Sequence, residues 1–248
     1  DSGDAPPVFE AGGRPVQSHQ ATVTGVACTA WRFEFAVAQA ATAQAVDYRI
    51  GGGSYRFQVP AQGALPVLGY ASCNGFSDPK LMKSVKAPNA LWARLGRLHA
   101  GEDRVDEQAY GPMHLLLLGG DQVYSDAMWT VIPELKAWMA LPWSRRAKAP
   151  FTATLRRKLE AYFSRLYLER WSQPEVAAAL ASLPTVMMWD DHDIMDGWGS
   201  YPAEHHGCPV YQGIFEVARA AFAFFQRQAI DSKGPGTLPG QDFHNSAW

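Results

Sequence analysis

The sequence predicts an α/β fold preceded by a smaller β-rich segment. Short apolar runs alternate with helical stretches from residue 64 onward, which is typical of a sheet layer covered by helices. Residues 20–60 instead alternate bulky apolar residues with charged ones, as strands with one face in solvent do. The chain has 248 residues, of which 47% are hydrophobic and 19% charged, so it can bury a substantial core. We therefore expect a β-rich segment at residues 1–62 and a main domain at residues 63–248.

The first segment contains a hairpin signal. Residues 1–18 are rich in glycine, proline and polar groups and predict an irregular arm. The alternating run "WRFEFAV" (31–37) predicts a strand. The runs "AVDYRI" and "SYRFQV" flank the turn sequence "GGGS", which predicts that they pair as a β-hairpin.

Three buried strands and four helices are predicted in the main domain. The strands are "ALPVLGYAS" (64–72), "HLLLL" (114–118) and "TVMMW" (185–189). The helices are residues 87–100, residues 151–171 with Thr152 or Thr154 as the cap, residues 174–183 and residues 211–229. Residues 231–243 predict a loop.

Charge and hydropathy limit the expected partners. The formal net charge of -2 gives no reason to expect a nucleic-acid surface or an anionic membrane. No apolar run approaches the roughly 18 residues that a spanning helix needs. The chain begins at Asp1 without a signal-peptide pattern, and we expect a processed or trimmed product. The compartment stays open between extracytoplasmic and cytoplasmic, and the oligomeric state stays open too.

Each predicted strand of the main domain ends in unusual polar residues. They are Ser72-Cys73-Asn74, "GGDQVYSD" (119–126) and "DDHD" (190–193). Functional groups of open α/β sheets gather beyond the carboxyl ends of the strands. We therefore expect these side chains to meet at one edge of the sheet and to form a metal site.

The middle motif offers two oxygen ligands. Gly119 and Gly120 permit a sharp exit from the strand, and Asp121 and Tyr124 are three residues apart, so one turn can direct both to one centre. A phenolate suits a trivalent cation such as Fe(III). The ordinary alternative is a Gly-Asp turn beside a buried tyrosine.

The other two motifs add a carboxylate, an imidazole and a thiol. Asp191 is a candidate ligand, and His192 is a candidate ligand or general acid near neutral pH. Close carboxylates raise each other's pKa unless a cation neutralises them. The alternatives for this motif are an acidic loop and a helix start, whose first turn favours Asp. Cys73 is a candidate thiolate ligand or an inert free cysteine, and the odd set of Cys28, Cys73 and Cys208 does not form a disulfide framework.

Several other enzyme classes lack their motifs. The sequence has no G-x-x-x-x-G-K-[ST] and no strand-linked G-x-G-x-x-G, so nucleotide cradles lack support. A G-x-S-x-G elbow is absent, which disfavours a serine hydrolase.

The ordered motifs "GYASCN", "LGGDQVYSD" and "MMWDDHDIMDGWG" resemble the strand-end motifs of the PhoD-like alkaline phosphatase family, within the metallophosphoesterases. The "GDxxY" element is also similar to that of purple acid phosphatases. The resemblance spans residues 64–200. It implies an αββα sandwich, and a metal-bound hydroxide that hydrolyses phosphate monoesters or diesters.

The resemblance also implies a polynuclear metal site. Its ligands would be Cys73, Asp121, Tyr124 and Asp191. The PhoD-like relatives imply Fe(3+) with Ca(2+), and Zn(2+) or Mn(2+) are the alternatives. Cys73 together with Tyr124 favours iron.

The remaining motif residues have supporting or catalytic roles by the same resemblance. His192 would donate a proton to the leaving oxygen, and Asp193 would orient His192. Asn74 and Asp190 would contact the metal ligands and hold them in position without binding the metal.

One expected segment is absent. The family has further ligands in a C-terminal Gly-Asp-x-His-like motif, whereas this chain ends at "FHNSAW" (243–248) without it. We therefore expect an incomplete C-terminal half. Two alternatives to a phosphatase remain: a degenerate or truncated domain with a binding role, and a metal-dependent esterase acting on carboxyl esters or lactones.

Overall fold

The computed structural model describes residues 5–229, which form a mixed α/β fold with several small sheets. The strands are β1 (Phe9–Glu10), β2 (Gln17–Thr22), β3 (Thr29–Glu34), β4 (Gln44–Ile50), β5 (Gly53–Val59), β6 (Leu68–Ala71), β7 (Arg104–Val105), β8 (Gln108–Ala109), β9 (Leu115–Gly119) and β10 (Thr185–Met188). The helices are α1 (Pro79–Ser84), α2 (Ala90–Ala100), α3 (Met128–Val131), α4 (Pro133–Met139), α5 (Trp143–Arg146), α6 (Ala153–Trp171), α7 (Pro174–Ser182), α8 (Ala203–His206) and α9 (Pro209–Phe225). No helix within this range is long and apolar enough to cross a lipid bilayer.

The three predicted apolar strands form one parallel sheet. Its order is β10-β9-β6, and both strand pairs are parallel. Ala71 pairs with Leu118, and Met188 pairs with Gly119. The carboxyl ends of all three strands therefore meet at one edge of the sheet, which confirms the predicted arrangement.

The two faces of this sheet differ in burial. Leu116 and Leu118 pack into a buried cluster with Ala179 of α7. On the opposite face, Tyr70 is 72% exposed and Val186 is 44% exposed. Within residues 5–229 no second sheet covers this face, so the αββα sandwich stays a prediction while the α/β class is confirmed.

A second core lies between α6 and α9. Leu159 and Phe163 of α6 and Ile214 of α9 are fully or almost fully buried in it. Burying each such side chain contributes roughly 1.5–3 kcal/mol relative to exposure. Thr152, not Thr154, caps α6, because its hydroxyl accepts the Leu155 N–H at 3.2 Å.

The predicted hairpin of the first segment is confirmed. Strands β4 and β5 pair antiparallel, and β1 pairs with β4, while β2 and β3 form a separate hairpin. The irregular arm expected at residues 1–18 is partly strand, because β1 and the start of β2 lie within it. The Tyr48 hydroxyl donates to the Ala181 carbonyl at 2.7 Å and joins this segment to the end of α7. The division near residue 62 stays a prediction.

Two expectations fall outside the described residues. They are the loop at residues 231–243 and the chain end at residues 243–248.

The helix expected at residues 211–229 begins two residues earlier and ends at Phe225. Pro209 at the first position of α9 explains the earlier start, since the fixed φ of proline suits that position.

Gly25 lets the first segment approach α6. A Cβ at Gly25 would lie 2.5 Å from the Ala161 backbone nitrogen, and its φ is +77°. Nearby, the Ser164 hydroxyl donates to the Thr24 carbonyl at 2.6 Å. Only glycine meets both the backbone conformation and the close approach.

Gly25→Ala should therefore destabilise the protein more than Gly63→Ala. Gly63 has almost the same φ, +76°, but nothing lies within 4 Å of its would-be Cβ. Both variants should lose about 1–2 kcal/mol for the left-handed backbone. Gly25→Ala should lose about 1–3 kcal/mol more because of the clash. Thermal unfolding of the two variants measures the difference, and equal losses would contradict a tight approach at Gly25.

Candidate metal centre

Two of the strand ends are joined by backbone hydrogen bonds. The Cys73 N–H donates to the Gly120 carbonyl at 3.0 Å, and the Asn74 N–H donates to the Asp121 carbonyl at 2.7 Å. Gly120 has a φ of +121°, and a Cβ there would lie 2.6 Å from the Cβ of Asp190. The missing side chain at Gly120 therefore allows the third strand end to approach the other two.

The clearest metal-binding group combines Asp121, Asp191 and His192. One carboxylate oxygen from each aspartate and one ring nitrogen of His192 all lie within 4.8 Å of one another. Asp121 is only 6% exposed, and its buried Oδ1 has no hydrogen-bond partner within the described chain. A buried, unpartnered carboxylate oxygen is costly unless a cation or a donor satisfies it. The residues present therefore fit a bound cation.

Electrostatics at Asp121 agree with this fit. Burial raises the pKa of Asp121, while the hydrogen bond from Cys73 and the charge of His192 lower it. The negative charges of Asp191 and Asp190 raise it further. A cation would relieve the crowding of these carboxylates, because it favours their charged forms.

Cys73 and Tyr124 both lie next to the same oxygen of Asp121. The Cys73 thiol lies 3.5 Å from Asp121 Oδ2, and the Tyr124 hydroxyl donates to the same oxygen at 3.3 Å. Cys73 and Asp121 both have left-handed backbone conformations, with φ values of 63° and 54°. Such conformations are costly for non-glycine residues and concentrate at functional sites. Burial also raises the pKa of the Tyr124 hydroxyl.

The loop after β10 holds Asp191 at the site. Residues Asp191–Asp193 form a 3-10 turn whose first N–H is accepted by Asp190 Oδ1 at 2.9 Å. The Gly197 N–H donates to Asp191 Oδ2 at 2.6 Å. Asp190 therefore caps this turn, and its supporting role at a metal site stays a prediction.

His192 is oriented by Asp126, which the sequence did not single out. His192 Nδ1 lies 2.6 Å from Asp126 Oδ2, and the other oxygen of Asp126 accepts the Asp196 N–H at 2.8 Å. The ring of Tyr124 packs against His192 with centroids 4.5 Å apart. Nδ1 therefore faces Asp126, and Nε2 lies 4.0 Å from Oδ1 of the exposed Asp196 side chain.

The pKa of His192 is raised above its ordinary value. Burial alone would lower it, but the hydrogen bond and charge of Asp126, together with the charges of Asp191 and Asp121, raise it. The imidazole therefore keeps its proton to a higher pH than an isolated histidine.

Asp193, expected to orient His192, lies behind the site. It is 1% exposed, and its Oδ1 accepts the Gln122 and Val123 N–H groups at 3.1 and 3.2 Å. Its Oδ2 accepts the Asp190 N–H at 3.0 Å. Asp193 thus fastens the loop after β9 to the loop after β10, and the carboxylate on the imidazole is that of Asp126.

A side chain of α6 and one from the residue that follows α9 complete the surroundings of Asp193. Gln226 donates to Asp193 Oδ1 at 2.9 Å, and the Tyr167 hydroxyl lies 3.5 Å from the same oxygen. Burial raises the pKa of Asp193 to about 7, although the backbone donors of Asp190 and Gln122 lower it.

Asn74 is a second buried polar centre behind the site. Its Nδ2 donates to the Gln122 carbonyl at 3.3 Å, and its Oδ1 accepts the Trp92 indole N–H at 2.7 Å. Arg170 Nε donates to the Asn74 carbonyl at 2.8 Å. Asn74 therefore joins the strand ends, while its support of metal ligands stays a prediction; Arg170 and Trp92 were not expected here.

The site lies within the part of the chain that matches a protein family. Residues 70–232, more than half of the chain, match the family described as PhoD related phosphatase. The chain belongs to this family, which confirms the predicted PhoD-like resemblance.

Two similar proteins are longer than this chain. The uncharacterized protein YGR266W of Saccharomyces cerevisiae is 28% identical over 226 residues, which cover 83% of this chain and 30% of that protein. A solved structure titled "Structure of PhoD" is 15% identical, with a TM-score of 0.42, and the match covers 90% of this chain and 40% of the other. The chain thus spans less than a third of the yeast relative's length.

Proposed function

We propose that this protein hydrolyses phosphate monoesters or diesters at a metal centre held by Asp121 and Asp191, with Cys73 and Tyr124 as further ligands. The observation that carries the proposal is the group of one ligand atom each from Asp121, Asp191 and His192, all within 4.8 Å of one another. The buried Oδ1 of Asp121, which has no hydrogen-bond partner within the described chain, adds to it. Membership of a phosphatase family supports phosphoester chemistry.

The roles of the residues follow from their positions. Bound cations would polarise phosphoryl oxygens and lower the pKa of a water molecule. Asp121 and Asp191 would hold the cations through hard oxygen atoms. His192, with Nδ1 held by Asp126, would present Nε2 to the leaving oxygen and donate a proton to it.

The ligand types favour iron. Cys73 supplies a soft sulfur atom and Tyr124 a phenol oxygen, both adjacent to Asp121 Oδ2. Phenolate suits Fe(3+), and the remaining carboxylates suit a hard cation such as Ca(2+). Zn(2+) and Mn(2+) are the alternatives that reconstitution would distinguish.

Metal reconstitution tests the proposed function. The protein would be stripped with a chelator and assayed with p-nitrophenyl phosphate and bis-p-nitrophenyl phosphate after addition of Fe(3+) with Ca(2+), Zn(2+) or Mn(2+). We expect phosphoester hydrolysis to return with iron, together with a visible absorption band from tyrosinate. A p-nitrophenyl carboxyl ester serves as the control substrate. Inactivity with every metal, in the longest natural form of the protein, would favour a binding domain instead.

Asp126→Asn should change the pH dependence of this activity. The charge of Asp126 raises the pKa of His192, so a neutral amide lowers it. The protonated imidazole is then lost at a lower pH, and the alkaline limb of the kcat profile moves toward acid. We expect kcat at neutral pH to fall about 10- to 100-fold, as when a partner that orients a histidine is lost.

The control is Asp103→Asn, which changes a partly exposed carboxylate that pairs with Arg97. Its pH profile should match that of the unmodified protein. An unshifted alkaline limb in Asp126→Asn would remove His192 as the proton donor.

A further inference from the structure

Arg170 of α6 is a buried cation whose hydrogen bonds converge on the loop after β6. Its Nη2 donates to Asn74 Oδ1 at 2.5 Å, its Nε donates to the Asn74 carbonyl at 2.8 Å, and its Nη1 donates to Asn89 Oδ1 at 2.7 Å. Arg170 is only 9% exposed, and burial lowers its pKa. A buried guanidinium is costly unless it is well hydrogen-bonded, so these contacts to Asn74 and Asn89 are needed to keep it in place.

Asn74 connects Arg170 to the candidate ligands. Its backbone N–H donates to the Asp121 carbonyl at 2.7 Å, and its side chain donates to the Gln122 carbonyl at 3.3 Å. Cys73 is the preceding residue and has a left-handed φ of 63°. The position of the Cys73 thiol, 3.5 Å from Asp121 Oδ2, therefore depends on how firmly Asn74 is held.

We propose that Arg170 is a positioning residue: it clamps Asn74 and so holds the Cys73 thiol against the Asp121 carboxylate before a metal binds. The inference rests on the proposed function for its purpose, which is a prearranged pair of ligands. The planar guanidinium reaches three oxygen atoms of two asparagines at once with a rigid fork of donors, a geometry that the compact ammonium group of lysine does not reproduce. Partners that orient ligands from behind affect metal affinity strongly because they fix ligand geometry in advance.

The test compares Arg170→Lys with Arg165→Lys. Both substitutions keep the positive charge on α6. Arg165, however, is exposed and forms no hydrogen bond with Asn74. The metal-free proteins would be treated with iodoacetamide, and the alkylation rate of each cysteine would be measured by peptide mass spectrometry. Cys28 provides an internal reference, and Cys208, which is 2% exposed, reports opening of the core.

We expect Arg170→Lys to increase the alkylation rate of Cys73 severalfold relative to Cys28, with Cys208 unchanged. Its affinity for added Fe(3+) should fall by about 10-fold. Arg165→Lys should match the unmodified protein in both measurements. Trp92→Phe provides a second variant, because it keeps a ring in place but removes one donor to Asn74 Oδ1. The Cys73 alkylation rate of Trp92→Phe should rise and its affinity for Fe(3+) should fall, both by less than in Arg170→Lys.

Two results would overturn the inference. One is a Cys73 rate in both Arg170→Lys and Trp92→Phe equal to that in Arg165→Lys. The other is an equal increase in the alkylation rate of Cys208, which would show that the whole core is destabilised. The alkylation measurement needs no metal, so it also separates the two proposals. If the unmodified protein binds no metal while Arg170→Lys alters Cys73 selectively, the metal function fails and the clamp on Cys73 stands.

Discussion

Asp121→Asn should lower kcat/KM for p-nitrophenyl phosphate by more than about 100-fold, because loss of a ligand should exceed the effect of losing a partner that only orients one. The amide oxygen keeps the size of the side chain but removes the charge that holds a cation. Asp121 contacts two other candidate ligands, since its Oδ2 lies 3.3 Å from the Tyr124 hydroxyl and 3.5 Å from the Cys73 thiol. Iron content should fall together with activity.

The fold should survive this substitution. Burial raises the pKa of Asp121 in the folded protein, so the fold is stabilised while this carboxyl is protonated. That stability is lost as pH rises through the folded pKa and the carboxyl ionises. A neutral amide avoids that loss, and the melting temperature of the metal-free variant at pH 7 should be unchanged or higher. Asp47→Asn is the matched control, since Asp47 forms an exposed pair with Arg56 and such pairs contribute about 0–1 kcal/mol. Full activity in Asp121→Asn would remove Asp121 from the metal centre.

Asp193→Ala should cost about 3 kcal/mol or more of unfolding free energy at pH 5. The substitution leaves the N–H groups of Gln122, Val123 and Asp190 without their acceptor, and each buried unsatisfied donor costs about 1–3 kcal/mol. For a chain of this size, 3 kcal/mol corresponds to a fall in melting temperature of roughly 6–12 °C. Thermal or urea unfolding would measure the loss.

The pH dependence of this loss has a defined sign. The folded pKa of Asp193 is about 7, above the ordinary carboxyl value of 3.8, so its contribution to the stability of the fold is fully present below pH 3.8 and is lost as pH rises through 7. The difference between Asp193→Ala and the unmodified protein should therefore be larger at pH 5 than at pH 8. Asp78→Ala is the control, because Asp78 caps α1 through an exposed hydrogen bond to the Lys80 N–H and should cost only about 1 kcal/mol. A loss in Asp193→Ala no greater than the loss in this control would show that Asp193 does not join the two loops.

The parts of the fold that could be predicted depend on local patterns. An apolar run that ends abruptly in Asp121 or Asp190 indicates a buried strand and its carboxyl end, and parallel pairing then places both ends at one edge. The β4–β5 hairpin and the Thr152 cap also depend on neighbouring residues alone. These features were found because the chemistry that determines them is contiguous in the sequence.

The residues that escaped prediction act across long separations or through backbone direction. Arg170 and Asn74 are 96 positions apart, and no local pattern in α6 distinguishes Arg170 from the exposed Arg165. The choice between Asp126 and Asp193 as the partner of His192 depends on the path of the loop after Asp121, whose φ is 54°. The available signal for Asp126 was its position two residues after Tyr124 in the motif "GGDQVYSD".

Helix α6 contributes to both polar centres behind the site, through Tyr167 near Asp193 and Arg170 on Asn74. The two residues are three positions apart and so lie on the same side of the helix. Inserting one residue before Tyr167 would rotate both by about 100° and withdraw them from the two loops together. Length changes within α6 should therefore be far less tolerated in natural variants than length changes in the exposed turn at Gly51–Gly52.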